Sequence, residues 1–246
     1  MKSCLSEKTA LAVAIGHSNS ENQLLPVLRW LLLVCMVLLL AFLKPLMAQA
    51  TSGNEEYLKV ITQRADKIVK PLGITDSVQY YKVRGIIVQQ YSTINATDEQ
   101  YKAAVTEIKS GRPEGDARNS ALKAAEESRN AYMQQQHEQY VHALKQNLTD
   151  SQVEEVKNGM TYNLLNVTYT AYTDMIPSLK PEEQNQIRDW LTEARELAMD
   201  GASSDAKHAV FGKYKGRINN YLSGRGYDLT KEREGWMKRI NDKKNN

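Results

Sequence analysis

Several groups of residues in this chain have side chains suited to chemistry, and their spacing limits what each can do. His137-Glu138 and His142 superficially resemble a zinc-binding helix. That motif spaces its two histidines four apart, so that both rings face one metal. An interval of five turns the second ring about 140° away around the helix axis. The expectation is therefore no metal site and no cofactor, with a polar surface on which Glu138 and His142 pair at i,i+4. No serine lies in a Gly-x-Ser-x-Gly elbow. Ser203-Ser204-Asp205 reads as a helix cap. Glu193, Glu196 and Asp200 fall at offsets of 3 and 7 and share a helix face. Carboxyls held close can split their pKa values and do acid–base work on a sugar. The same three also fit a solvated face opposite Leu191 and Leu197. With His208 they are the catalytic candidates, and whether the protein is an enzyme stays open.

The most unusual segment is His208 to Asp228, HAVFGKYKGRINNYLSGRGYD. Phe211, Tyr214, Ile218, Tyr221 and Leu222 make its apolar stripe. His208, Gly212, Lys215 and Asn219 form a second line at offsets of 4, 7 and 11. Gly212 and Gly216 each weaken a helix by about 1 kcal/mol relative to Ala. Two such costs four residues apart point to the close approach of another backbone or of a ligand. The polar groups nearby are cations and amides: His208, Lys213, Lys215, Arg217, Asn219, Asn220 and Arg225. Tyr162, Tyr169 and Trp190 add aromatic faces. Together these are the ligand-binding candidates, because a sugar ring stacks on an aromatic face, hydroxyls meet amides and a carboxylate meets Arg or Lys. A packed helix with a basic outer face fits the same residues.

Helices must position these groups, since the apolar spacing is three-to-four nearly throughout. One spans Glu55 to Lys70 and stops at Pro71-Leu72-Gly73. A second follows a Ser77 cap, and a third starts at the capping-box pattern Thr97-x-x-Gln100. The loop Ser110-Gly111-Arg112-Pro113 precedes a long helix, Asp116 to Asn147. Thr149 to Met160 follows, with Ser151-x-x-Glu154 as another capping box. Met160 to Ile176 is rich in Thr, Val and Tyr, which suits a strand. Yet Tyr162, Leu165, Tyr169, Tyr172 and Ile176 lie on one helical stripe, so it reads as helix. Glu182 to Asp200 has Ile187, Trp190, Leu191, Ala194 and Leu197 on its inner side. Asp205 to Leu222 and the tail Lys231 to Ile240 complete the pattern. The expected fold is an all-α, single-domain bundle of about seven to eight helices over 51–246.

Residues 30–43, WLLLVCMVLLLAFL, are uncharged and apolar. Fourteen helical residues span about 21 Å, short of the roughly 30 Å hydrocarbon core. With Ala48-Gln49-Ala50 behind it, residues 1–50 read as a signal peptide cleaved after Ala48 or Ala50. No stable membrane span then remains, and the protein is expected outside the cytoplasm, in the periplasm or beyond. Both cysteines lie within those 50 residues, so the body has no disulfides. The net charge of +3 gives no broad reason to bind nucleic acid. The composition is lopsided in its aromatics: 13 Tyr against 2 Phe. A buried phenol needs a partner for its hydroxyl. The excess therefore predicts several tyrosine hydroxyls converging on one polar pocket near His208.

Three blocks carry a resemblance. They are Asn158-Gly-Met-Thr-Tyr-Asn163 running on to Tyr172-Thr-Asp-Met-Ile-Pro177, then Trp190-Leu-Thr-Glu-Ala-Arg-Glu-Leu-Ala-Met-Asp200, then Lys207-His208 through Gly212 to Leu222 and Arg225-Gly-Tyr-Asp228. Together they resemble domain-of-unknown-function family 3826, secreted proteins mainly of Bacteroidetes. The resemblance implies a bacterial envelope protein linked to polysaccharide utilisation, in particular pectin, and supplies no catalytic residues. Leu148-Thr-Asp-Ser-Gln152 is also similar to the L-T-x-x-Q motif of small periplasmic helical chaperones, and Leu179 to Gln184 nearly is. Capping at helix starts explains both matches. The leading expectation is an exported protein that binds or helps process a carbohydrate, an oligosaccharide or sugar acid that is pectic or contains uronic acid. The alternatives are a carbohydrate-active enzyme using a carboxylate pair, and a chaperone or scaffolding bundle.

Overall fold

The amphipathic spacing produces helices and nothing else among the described residues. This computed structural model describes residues 54–111 and 114–244. The apolar segment read as a signal peptide, the cleavage expected after Ala48 or Ala50, and Arg112-Pro113 lie outside them. Helix α1 runs through 54–69 and ends in a 3-10 turn, Lys70–Leu72, that Pro71 starts and Gly73 closes at φ 68°. Then come α2 (Ser77–Ser110), α3 (Gly115–Lys145), α4 (Asp150–Met160), α5 (Leu164–Met175), α6 (Pro181–Met199), α7 (Ser204–Gly224) and α8 (Leu229–Lys244). Among the described residues there is no strand, and no helix is long and apolar enough to cross a membrane. The protein is an all-α bundle.

Several local expectations are corrected. No helix starts at Thr97, because α2 passes straight through it. Its hydroxyl donates to the Thr93 carbonyl at 2.8 Å, four residues back, so it serves the helix interior instead of capping a new one. Asp76, not Ser77, caps α2. The capping box of α4 is Thr149 with Gln152, two residues before the Ser151–Glu154 pattern. Gln152 Nε2 also donates to the Leu72 carbonyl at 2.9 Å, tying α4 to the end of α1. This link and the box account for the Thr and Gln of the L-T-x-x-Q sequence. Met160 to Ile176 is helical but broken from α4 by a turn at Thr161–Asn163.

The apolar side chains form two cores. Ala65, Val69, Val83, Ile87, Met133, Leu144, Val156 and Met160 fill the first, between α1, α2, α3 and α4. Leu165, Tyr172, Ile187, Leu191, Phe211, Ile218 and Leu222 fill the second, between α5, α6 and α7. Helix α6 touches α4, α5 and α7, and its Met199 belongs to the first core while Ala194 and Ala198 belong to the second. It is the shared spine. Leu197, expected inside, is 53% exposed. The core stripe of α6 turns past it toward Ala198 and Met199. Helix α8 contributes no buried residue and rests on α5 and α7.

One glycine holds the layers close. A Cβ on Gly159 would lie 3.0 Å from Ile68 Cγ1, so α4 packs against α1 closely enough that any larger residue would push the Ile68 side chain aside. Gly212 and Gly216 do not act this way. A Cβ on either would meet nothing within 4 Å, so no backbone approaches them.

Candidate functional site

The sequence candidates divide between separate parts of the surface. Tyr162 and His208 come together: their rings stack with centroids 6.1 Å apart and planes at 7°. Lys215 and Asn219 lie with His208 in a cleft between α5, α7 and α8. Trp190 stands elsewhere, edge-on to Tyr221, with the Arg217 guanidinium 4.5 Å over its ring and Arg217 paired to Glu193 at 3.5 Å. Tyr169 is covered by Arg188 at 4.0 Å. On both rings an arginine occupies the face a sugar would use. Arg225 Nε binds the buried Glu183 at 3.0 Å. Lys213 and Asn220 are exposed on α7 and line neither of the clefts described below.

The catalytic candidates separate as well. Glu193 turns to Arg217, whereas Glu196 and Asp200 clasp His137 of α3. His137 Nδ1 is 3.2 Å from Asp200 and Nε2 is 3.4 Å from Glu196. His137 is therefore no exposed surface group, and Glu138 and His142 bond to Gln134 and Gln146 instead of each other. Hydrogen bonds to Asp200 and then Glu196 hold the imidazole proton, raising His137 to about 9 against the opposing effect of burial. Burial alone would raise the Glu196 carboxyl. Bonds from His137, Lys157 at 2.9 Å and Arg195 outweigh it and hold Glu196 at about 2. A carboxyl so held stays ionised at neutral pH and has no proton to give as a general acid. This network sits where the two cores meet. Beside it, desolvation lowers the buried Lys207 ammonium to about 8 while it donates to the last carbonyls of α6, Ala198 and Met199, both at 3.1 Å.

Another cleft, larger than the one beside His208, is one the candidate residues hardly foreshadow. It holds about 940 Å³ at the corner of α1, α2, α4 and α5. Arg64 and Lys67 line it from α1, Tyr91 from α2, Glu155 and Asn158 from α4, and Tyr162, Asn163 and Asn166 from the turn into α5 and its first turn. Tyr162 and Asn163 both adopt left-handed backbone, φ 55° and 56°. Two such non-glycine residues in a row cost about 1–3 kcal/mol each. The turn lifts Tyr162 out of the α5 stripe, so its side chain is 50% exposed instead of in the core. Asn166 Nδ2 donates to Asn163 Oδ1 at 2.7 Å and Arg195 donates to Asn158 Oδ1 at 2.9 Å, so each of the three amides is held by one bond. Desolvation pushes the Tyr91 phenol up to about 12, so it is a neutral donor. Neither Arg64 nor Lys67 makes an ion pair with a described residue. The cleft thus presents two available cations, two phenol rings and three amides.

A family model described as Protein of unknown function (DUF3826) matches residues 58–242. The chain belongs to that family. The matched span runs from α1 into α8 and takes in both clefts, so these features fall within the family's own domain. No curated protein matches the chain.

The tyrosine hydroxyls do not converge near His208. Tyr57 donates to the Tyr91 carbonyl, Tyr80 to Asp66, Tyr140 to the Met160 sulfur, Tyr172 to Asn219 Oδ1 and Tyr227 to Glu183. Each phenol satisfies its own partner, and several join one helix to another. Sequence reasoning passed over Arg64, Lys67 and Tyr91. They stand on ordinary amphipathic helices, and only the unusual pairing of Asn163 with an aromatic at a helix break hinted at the turn that meets them.

Proposed function

We propose that this protein is an exported binder of acidic carbohydrate, and that the corner cleft takes a uronic-acid unit, as found in pectic chains. The observation that carries this reading is the pair Arg64 and Lys67, which make no ion pair among the described residues, in one cleft with Tyr91, Tyr162, three asparagine amides and a single carboxylate, Glu155. A sugar carboxylate pairs with the guanidinium or ammonium, the ring lies against a phenol, and hydroxyls exchange hydrogen bonds with the amides. A neutral hexose would leave both cations unused. The apolar leader and the envelope setting of the resemblance support export to the periplasm or beyond.

Calorimetric titration of the purified protein with galacturonate oligomers and with neutral oligomers of equal length tests the idea. Acidic oligomers bind and neutral ones do not. Arg64→Ala weakens binding by about tenfold to a hundredfold, as expected for loss of one charge-assisted contact of about 1.5–3 kcal/mol. Equal affinity for neutral and acidic oligomers, or full affinity in Arg64→Ala, refutes it.

A further inference from the structure

The second cleft, between α5, α7 and α8, holds about 770 Å³ and has its own chemistry. Its walls are Leu164, Val167, Ala171 and Met175 on one side and Trp236 on another, and its polar groups are His208, Lys215, Asn219 and Arg233. Among the described residues neither Lys215 nor Arg233 makes an ion pair, and no carboxylate lines the cleft. Asn219 is held ready: its Oδ1 accepts from the buried Tyr172 hydroxyl at 2.6 Å, which leaves the Nδ2 donors for something else. Gly212 lies on the same stripe of α7, between His208 and Lys215. It weakens the helix relative to Ala, and nothing beyond its own stretch of α7 comes within 4 Å of where its Cβ would be, so the surface beside the cleft is open there.

The two clefts are neighbours. Tyr162 belongs to the first and His208 to the second, and their stacked rings form the ridge between them. The first turn of α5 is a shared wall, with Asn163 and Asn166 facing one cleft and Leu164 and Val167 the other. Paired cations stand on each side, Arg64 with Lys67 and Lys215 with Arg233. We infer that the cleft between α5, α7 and α8 is a second sugar subsite, and that the ligand is a linear polyuronate crossing the Tyr162–His208 ridge with a carboxylate on each side. This rests on the acidic-sugar reading of the corner cleft. Trp236 gives the second unit a stacking face, and the apolar floor of Val167, Ala171 and Met175 takes the less polar face of the ring.

A chain-length series tests it, from free galacturonate through increasing oligomers, read by calorimetry and by tryptophan fluorescence. Longer oligomers bind at least about tenfold tighter than the monomer once both clefts are filled, because the second contact is intramolecular. Fluorescence shifts only with those longer oligomers, and the shift vanishes in Trp236→Phe. The double variant Lys215→Ala, Arg233→Ala loses the length-dependent gain and keeps the monomer affinity. Its circular dichroism and melting stay unchanged, since both side chains are exposed. If the gain is absent or survives the double variant, the second subsite is wrong while the corner-cleft reading stands. Monomer and oligomers that both fail to bind sink the two together. Inorganic polyphosphate binding as tightly as polyuronate shows charge attraction alone and overturns the subsite.

Discussion

Replacing His137 with Gln should flatten one part of the pH–stability profile in a calculable way. The imidazole rises from 6.5 unfolded to about 9 folded because Asp200 and Glu196 hold its proton. A raised pKa stabilises fully below the unfolded value and is lost as pH rises through the folded one. By linkage alone this amounts to at most about 3 kcal/mol at pH 6.5, about 1 kcal/mol at pH 8 and well below that at pH 9. The three side chains are 18–30% exposed, so solvent screening reduces these values to about half. Urea denaturation of both proteins from pH 6.5 to 9 is the assay. The wild-type advantage over His137→Gln should shrink by about 1–1.5 kcal/mol across that range. Lys207 works in the opposite sense, since a lowered lysine pKa makes stability rise with pH between about 8 and 10.5. It is present in both proteins and cancels in the difference. Two profiles that stay parallel from pH 6.5 to 9 would show that the clasp holds no proton, and the account of this junction would be wrong.

Glu183 is buried. Its carboxyl, despite burial, is held at about 2 by the Tyr227 hydroxyl, the Lys180 amide and Arg225, so its contribution is present above about pH 4.5 and fades as pH falls through 2. Glu183→Gln should cost about 1–3 kcal/mol at neutral pH in chemical denaturation and much less near pH 2. Gly159→Ala places a methyl 3.0 Å from Ile68 and should destabilise by about 1–3 kcal/mol, with Ile68→Val recovering part of the loss in a double-mutant cycle. Tyr172→Phe frees the Asn219 amide; melting should show a loss of about 1 kcal/mol, and titration a smaller affinity gain with oligomer length.

The helices were legible because each writes its apolar stripe locally. The periodicity of α6 and the Pro71–Gly73 stop needed no knowledge of distant residues. Even Met160 to Ile176, whose Thr and Val content favours strand, kept the helical spacing of Leu165, Tyr172 and Ile176, and that spacing predicted the helix from Leu164 onward but not the turn at Thr161–Asn163 that takes Tyr162 off the stripe. The error at Thr97 has a local cause too: a capping pattern cannot announce that the threonine will bond backward to Thr93 and let the helix continue.

Composition and spacing alone established an all-α body, the excess of tyrosine over phenylalanine and the missing metal-helix interval at His137 and His142. What they could not contain is which charged faces meet. Glu196 and Asp200 lie 59 and 63 residues from His137, and no local period encodes a contact between helices so far apart. The same holds for Arg64 and Tyr162, brought to one cleft by the close α1–α4 contact at Gly159 and by the left-handed turn that ends α4. A polar helix face looks alike in sequence whether it meets water, an ion pair or a ligand, because the exposed pattern is the same in all three. Only the packing of the helices against one another assigned His137 to the clasp, left Arg64 and Lys67 without an ion pair among the described residues, and put Tyr162 on the ridge between two clefts.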